Sequence, residues 1–313
     1  MKYQHYIAEY ILEKREFGYG FVSEERFLKR FAEFADSRKI DFLQKNHFLE
    51  WKNNYGHAND TTWKRRLSVY RGFTNWLSYI DSRTETPPAD LISTRGSNRK
   101  KPYIYTPKQV DDILAETMNL RSHLGLRRLT YYTLFAIYAV TGLRINEAIN
   151  LCISDVNLKD NFLLIRNSKS KKERLVPFKK STSRVLAKYH ERTLFLTTKK
   201  RPDFFVIEND RPVTEFTTRY AFAQVSQNIG LRKKEKFGRH GKGPRIHDFR
   251  HTLAVNTIKR ALENNLDVDE EIHKLSIYLG HETLKGTYWY IEAIPELLQL
   301  ASEKAKNITL PSK

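Results

Sequence analysis

Thr141-Gly142-Leu143-Arg144-Ile145-Asn146-Glu147 closes a long apolar run, roughly Arg127 to Val140. The run reads as a buried helix. Gly142 marks its end, because glycine enters the left-handed backbone of a helix terminus without a Cβ clash. Arg144 then stands just past that terminus. Glu147, three residues on, is placed to orient its guanidinium from one turn away. Upstream, Thr106-Pro107-Lys108-Gln109 is a helix start: threonine to cap, proline at the first helical position, glutamine to complete a capping box. Downstream, Asn161 to Arg166 and Glu173 to Pro177 read as two short strands joined by the basic turn Asn167-Ser168-Lys169-Ser170-Lys171-Lys172.

The first 80 or so residues read as helical. Phe27, Leu28, Phe31 and Phe34 recur at near-helical spacing within Arg26 to Ala35. Trp63, Leu67, Tyr70, Phe73, Trp76, Leu77 and Ile80 do the same within Thr61 to Ile80, interleaved with Lys64, Arg65, Arg66 and Arg71. That basic face is either solvated or laid on DNA. Ser82 to Pro102 holds a proline pair, small polar residues and a cluster of cations, the composition of an extended linker. The resulting expectation is a mostly α chain with a small β-sheet in two domains: residues 1–95 helical, 96–105 a basic linker, and 106–313 the second domain.

The 313 residues hold 55 Lys and Arg against 36 Asp and Glu, a net charge of +19. Solubility needs a net charge of only roughly 2 to 8 in a small domain, so the excess points to a polyanionic partner, by default nucleic acid. One cysteine, Cys152, excludes an intrachain disulfide and a cysteine-based zinc site. No run approaches the roughly 18 to 20 apolar residues of a membrane span, and the N-terminus has no apolar signal core. The expected location is cytoplasmic, and nucleoid-associated when bound to DNA.

Further along come His247-Asp248-Phe249-Arg250-His251, then Leu279-Gly280-His281, then Tyr290 nine residues after His281. A phosphodiester under attack by an oxygen nucleophile gathers negative charge on its nonbridging oxygens, which preorganised arginine forks stabilise. Arg144 and Arg250 suit that role. His247 and Arg250 share a face near a helix start. His247 and His251 resemble half a zinc site, but the glutamate of zinc proteases and cysteine partners are missing. Tyrosine, with an ordinary pKa of about 10, needs nearby cations to become a competent nucleophile. Tyr288 and Tyr290 are both candidates, and Lys169, Lys171 or Lys172 could protonate a leaving oxygen. The set points to DNA strand cleavage and rejoining with no metal and no cofactor.

These boxes, in this order and spacing, resemble the tyrosine recombinases, or phage-type integrases, strongly from Thr106 to about Leu300 and more weakly before it. The Lys172-Glu173-Arg174-Leu175-Val176-Pro177 run matches the one that follows the family's catalytic lysine, and Thr287 to Ala293 looks like members encoded by transposons or integrative elements. The resemblance implies a two-domain DNA clamp: a SAM-like core-binding domain and a catalytic domain in which Tyr290 attacks. Arg144, His247, Arg250 and His281 would hold the phosphate, and Lys169 would protonate the leaving oxygen. Ser168 and Ser170 stand where the family often has glycines. The implied partners are double-stranded DNA, a homotetramer on synapsed sites formed from monomers or weak oligomers, and optional DNA-bending proteins. The C-terminal stretch from Ala301 would either dock on a neighbouring subunit or fray. Rival readings are a type IB topoisomerase-like enzyme and a catalytically silent DNA-binding regulator.

Overall fold

The computed structural model describes residues 2–55, 58–93, 101–166, 173–197, 202–233 and 243–306. The chain divides into two compact units, Met1–Arg99 and Lys100–Lys313.

In the first unit, α1 (Lys2–Glu16), α2 (Val22–Ser37), α3 (Lys45–Asn54) and α4 (Asp60–Leu77) enclose an aromatic core. The Asn59 side chain starts α4 by accepting from the Thr62 amide at 2.9 Å. Trp51 meets Trp63 edge-on at 5.5 Å between ring centroids and Phe31 likewise at 5.5 Å. Such edge-to-face pairs satisfy the ring quadrupoles while burying large areas. The basic face of α4 is partly engaged inside the unit. Arg65 pairs with Glu24 at 3.0 Å, Arg66 lies over the Trp63 ring at 4.5 Å, and the Arg71 Nε donates to the Pro87 carbonyl at 2.7 Å. That last bond changes the linker reading: residues 82–92 stay with the unit. Thr84 and Ile92 are buried, and the Glu85 amide donates to the Leu43 carbonyl. Arg71 and burial of Ile92 override the loop-like composition. Residues 94–100 lie outside the described set, and by Tyr105 the chain is buried in the second unit, its amide bonded to Thr252 Oγ1.

The second unit opens with α5 (Pro107–Thr117), started by the reciprocal Thr106–Gln109 capping box, and continues with α6 (Leu126–Thr141), α7 (Ile145–Ile149) and the strands β1 (Val156–Asn157), β2 (Phe162–Ile165) and β3 (Arg174–Pro177). These strands form an antiparallel sheet in the order β1-β2-β3, with buried Leu163 opposite buried Val176. Next come α8 (Lys180–Leu196), the two-residue strands β4 (Val206–Ile207) and β5 (Arg211–Pro212), then α9 (Glu215–Asn228) and α10 (His247–Glu263). The described chain ends with α11 (Val268–Leu279), α12 (Lys285–Ala293) and α13 (Pro295–Lys306). Two apolar clusters result, one around α6 and the sheet, the other around α10 to α13. Residues 307–313, the end of the stretch expected to dock or fray, are outside the described set. None of the described helices is long and apolar enough to cross a membrane.

Candidate active site

Two left-handed glycines shape the seam between the clusters. Gly142 ends α6 at φ 63° and Gly280 ends α11 at φ 65°. A Cβ on Gly142 would press on Leu253 and Leu279 at 3.0 Å, and one on Gly280 would meet the Arg174 guanidinium at 2.8 Å. Glycine is thus required there by both conformation and space. Each turn presents backbone carbonyls to an arginine. Arg250, on the first turn of α10, is 2% exposed; its Nη1 donates to the Gly142 carbonyl at 3.0 Å and its Nη2 to the Leu279 carbonyl at 2.5 Å. Arg144 donates from Nη2 to the Gly280 carbonyl at 3.1 Å. A guanidinium carries five N–H donors in a fixed fork, so part of each is anchored while its remaining donors keep their aim.

Glu147 organises the second half of the seam. Its carboxylate takes Arg144 Nη1 at 2.7 Å and a two-pronged bond from Arg174, at 3.2 and 2.8 Å. Arg174 also donates from Nε to the Tyr278 carbonyl at 3.0 Å. Burial alone would push the Glu147 carboxyl up, but hydrogen bonds and charge from Arg174 and then Arg144 hold it below the usual carboxylate range. Glu147 therefore orients Arg144 as the spacing suggested, and ties it to strand β3 as well. The Arg250 guanidinium is pushed down to about 10, first by burial and then by Arg144, with Glu147 and Tyr290 opposing. It stays charged at neutral pH.

The tyrosines separate by environment. Tyr288 donates to Asp269 Oδ1 at 2.6 Å, and that carboxylate raises its phenol pKa, which disfavours the attacking phenolate. Tyr290, on α12, is 2% exposed, and Arg250 lies within reach of its charge. Its hydroxyl is 2.8 Å from His251 Nδ1. His281 follows Gly280, and its Nδ1 is 2.7 Å from the buried Thr287 hydroxyl, a contact that fixes the ring. His247 opens α10 and lines, with Arg144, Asn146, Glu147, Arg166 and Arg219 among others, an open cleft of about 550 Å³. So Arg144 and His247 share the cleft, Arg250 and Tyr290 are buried, and Lys169, Lys171 and Lys172 lie outside the described residues.

Arg174 and Thr287 carry no role that the sequence motifs announce, and the spacing of His251 from His247 suggests only a metal ligand. Strand alternation holds a signal for Arg174: Leu175 is 56% exposed and Val176 buried, so position 174 shares the inner face with Val176.

A family model described as the phage integrase family matches residues 104–296. A Sinorhizobium fredii protein described as an integrase/recombinase is 32% identical over 306 residues, covering 96% of each chain. The chain belongs to the phage integrase family. With it, the chain joins the tyrosine-type site-specific recombinases, a reading favoured over the topoisomerase-like and silent-regulator alternatives. A tyrosine recombinase XerC of Pediococcus pentosaceus is 24% identical, over 90% of this chain and 87% of its own. Among solved structures, the Tn1549 transposon integrase in complex with transposon right end DNA superposes with a TM-score of 0.67 at 15% identity, covering 97% of this chain and 99% of its own. The XerH recombinase in a post-cleavage complex with its difH substrate gives 0.60 at 18% identity, covering 84% of this chain and 71% of its own. These likenesses carry the fold: mostly helical, with small sheets.

Proposed function

We propose that the chain cuts and rejoins double-stranded DNA at specific sites through a 3′-phosphotyrosyl intermediate on Tyr290. The observation that carries this reading is that the buried Tyr290 hydroxyl meets His251 on the helix that bears Arg250, while Tyr288 is tied to a carboxylate. In the cleavage step the Tyr290 oxygen bonds to phosphorus, the bond from phosphorus to the 5′ oxygen breaks, and its electron pair leaves with that oxygen. Arg144 and Arg250 neutralise the charge that gathers on the nonbridging oxygens. His247 and His281 donate hydrogen bonds, and Lys169 supplies the proton to the 5′ oxygen. The bond energy is kept in the phosphotyrosine, so rejoining by a 5′-hydroxyl needs no ATP.

Residues 1–95 would serve as the core-binding DNA domain, 96–105 as a basic strap, and 106–313 as the catalytic domain. Four protomers on two synapsed sites would exchange strands in pairs. The names of the solved relatives, which include DNA complexes and a transposon integrase, support a mobile-element substrate. The test uses two plasmids, one with two copies of the cognate site and one with none. Recombinant circles from the first alone are expected; relaxation of the second would favour topoisomerase-like activity instead.

A further inference from the structure

His251 neighbours Arg250 in sequence but faces elsewhere. Its Nδ1 is 2.8 Å from the Tyr290 hydroxyl, with ring centroids 5.5 Å apart. On the turn before, the His247 ring packs edge-on against it at 4.7 Å, and Trp289 closes another side at 6.1 Å. Since His247 also lines the cleft beside Arg144, an imidazole chain runs from the cleft to the tyrosine oxygen. Tyr290 itself is 2% exposed, so its oxygen is shielded from bulk water as a proton acceptor. A phenol must shed its proton to attack, and a histidine within about 2.6–3.2 Å is placed to take it.

We propose that His251 is a catalytic residue, the base that aims the Tyr290 hydroxyl and accepts its proton during attack. The proposal rests on the reading of Tyr290 as nucleophile. With its proton on Nε2, the neutral ring accepts from the Tyr290 O–H through Nδ1. As the oxygen–phosphorus bond forms, that proton moves to Nδ1 and leaves His251 an imidazolium. When a 5′-hydroxyl later attacks the phosphotyrosine, Nδ1 returns the proton to the departing tyrosine oxygen. His251 thereby ends each cycle as it began. Acid and base are then separate groups: His251 at the nucleophile, and another residue at the 5′ oxygen.

The test measures covalent adduct formation on a suicide DNA substrate, with DNA binding and thermal unfolding followed in parallel. His251→Ala is expected to slow the adduct about a hundredfold. His251→Asn, whose amide can still hydrogen-bond the hydroxyl but takes no proton at neutral pH, is expected to be as slow. Difluorotyrosine at position 290, a more acidic phenol that depends less on a base, is expected to speed both variants more than it speeds the wild type. A purely structural role for His251 gives no such selective rescue. Asn within about threefold of the wild type, faster cleavage by either variant, or rescue no greater than in the wild type would overturn the proposal. Should Ala unfold the protein, Asn with difluorotyrosine decides alone. A wild type that binds its site yet forms no adduct at position 290 would instead overturn the parent reading, and His251 as base with it.

Discussion

In the first unit the largest buried side chains are rings: Trp51, Trp63, Tyr70, Phe31 and Phe48. In the second, buried rings share the interior with a guanidinium, Arg250. Among the described residues, the wholly buried polar residues of the first unit, its tyrosines aside, are Thr74 and Thr84, whereas the second also holds Glu147, Asp155, Asp248 and Arg250. Taking charge out of water costs several kcal/mol per ion unless the charge is paired and hydrogen-bonded. Glu147 and Arg250 meet that condition through the two glycine turns and Arg174, yet apolar packing would stabilise the same space at least as well. The difference teaches where function is written. The first unit has a core built for stability, and any DNA contact is left to its surface. In the second, chemistry is built into the interior, and the fold is arranged to tolerate it.

That contrast can be broken. Arg250→Lys keeps the charge and loses the fork, so adduct formation on a suicide substrate is expected to fall by about 10²- to 10³-fold while DNA binding, followed by gel shift, changes little. A fall matching only the loss of folded protein would reduce Arg250 to a structural residue. In the first unit, Trp63→Ala removes a ring from the buried aromatic cluster and is expected to cost about 3–5 kcal/mol. Limited proteolysis would then open residues 2–93 while 101–306 stay protected; equal opening of both would erase the contrast.

Glu147→Gln keeps the side-chain shape but removes the charge and turns one accepting oxygen into a donor facing Arg144 or Arg174, with an expected loss of about 2 kcal/mol in denaturant unfolding at neutral pH. The sign with pH follows from the depressed carboxyl. Its stabilisation is fully present above the ordinary carboxylate pKa of about 4.3 and is lost as pH falls through its lower folded value. The variant should therefore lose part of the wild-type acid dependence of stability, and an unchanged acid limb would contradict the ion pairing. The smallest effect is expected at Tyr288→Phe, with adduct rate within about twofold of wild type, because its hydroxyl serves only an exposed bond to Asp269.

Local signals made much of this legible beforehand. The Thr106 capping box, the apolar stripe of α6 closing at Gly142, and the pairing of β2 with β3 each depend on residues near one another in the chain. The candidate residues were legible because their order and spacing resemble a family. What stayed hidden depends on contacts across distant sequence. Glu147 finds Arg174 27 residues away, and Tyr290 finds His251 39 residues away. Neither separation leaves a periodicity to read. The packing of residues 82–92 onto the first unit was masked for the same reason, since a proline pair and polar residues look alike whether or not a distant arginine holds them. The short strand β1 has two residues, too few for alternation to show.

The central claim is that Tyr290 is the attacking group, held ready by Arg250 and His251. Its most direct test is to trap wild-type protein on a suicide substrate carrying its cognate site, digest the complex, and map the DNA-linked residue by mass spectrometry. The account predicts a 3′-phosphate on Tyr290, and no adduct from Tyr290→Phe. A link at Tyr288, or an adduct that survives Tyr290→Phe, would contradict it.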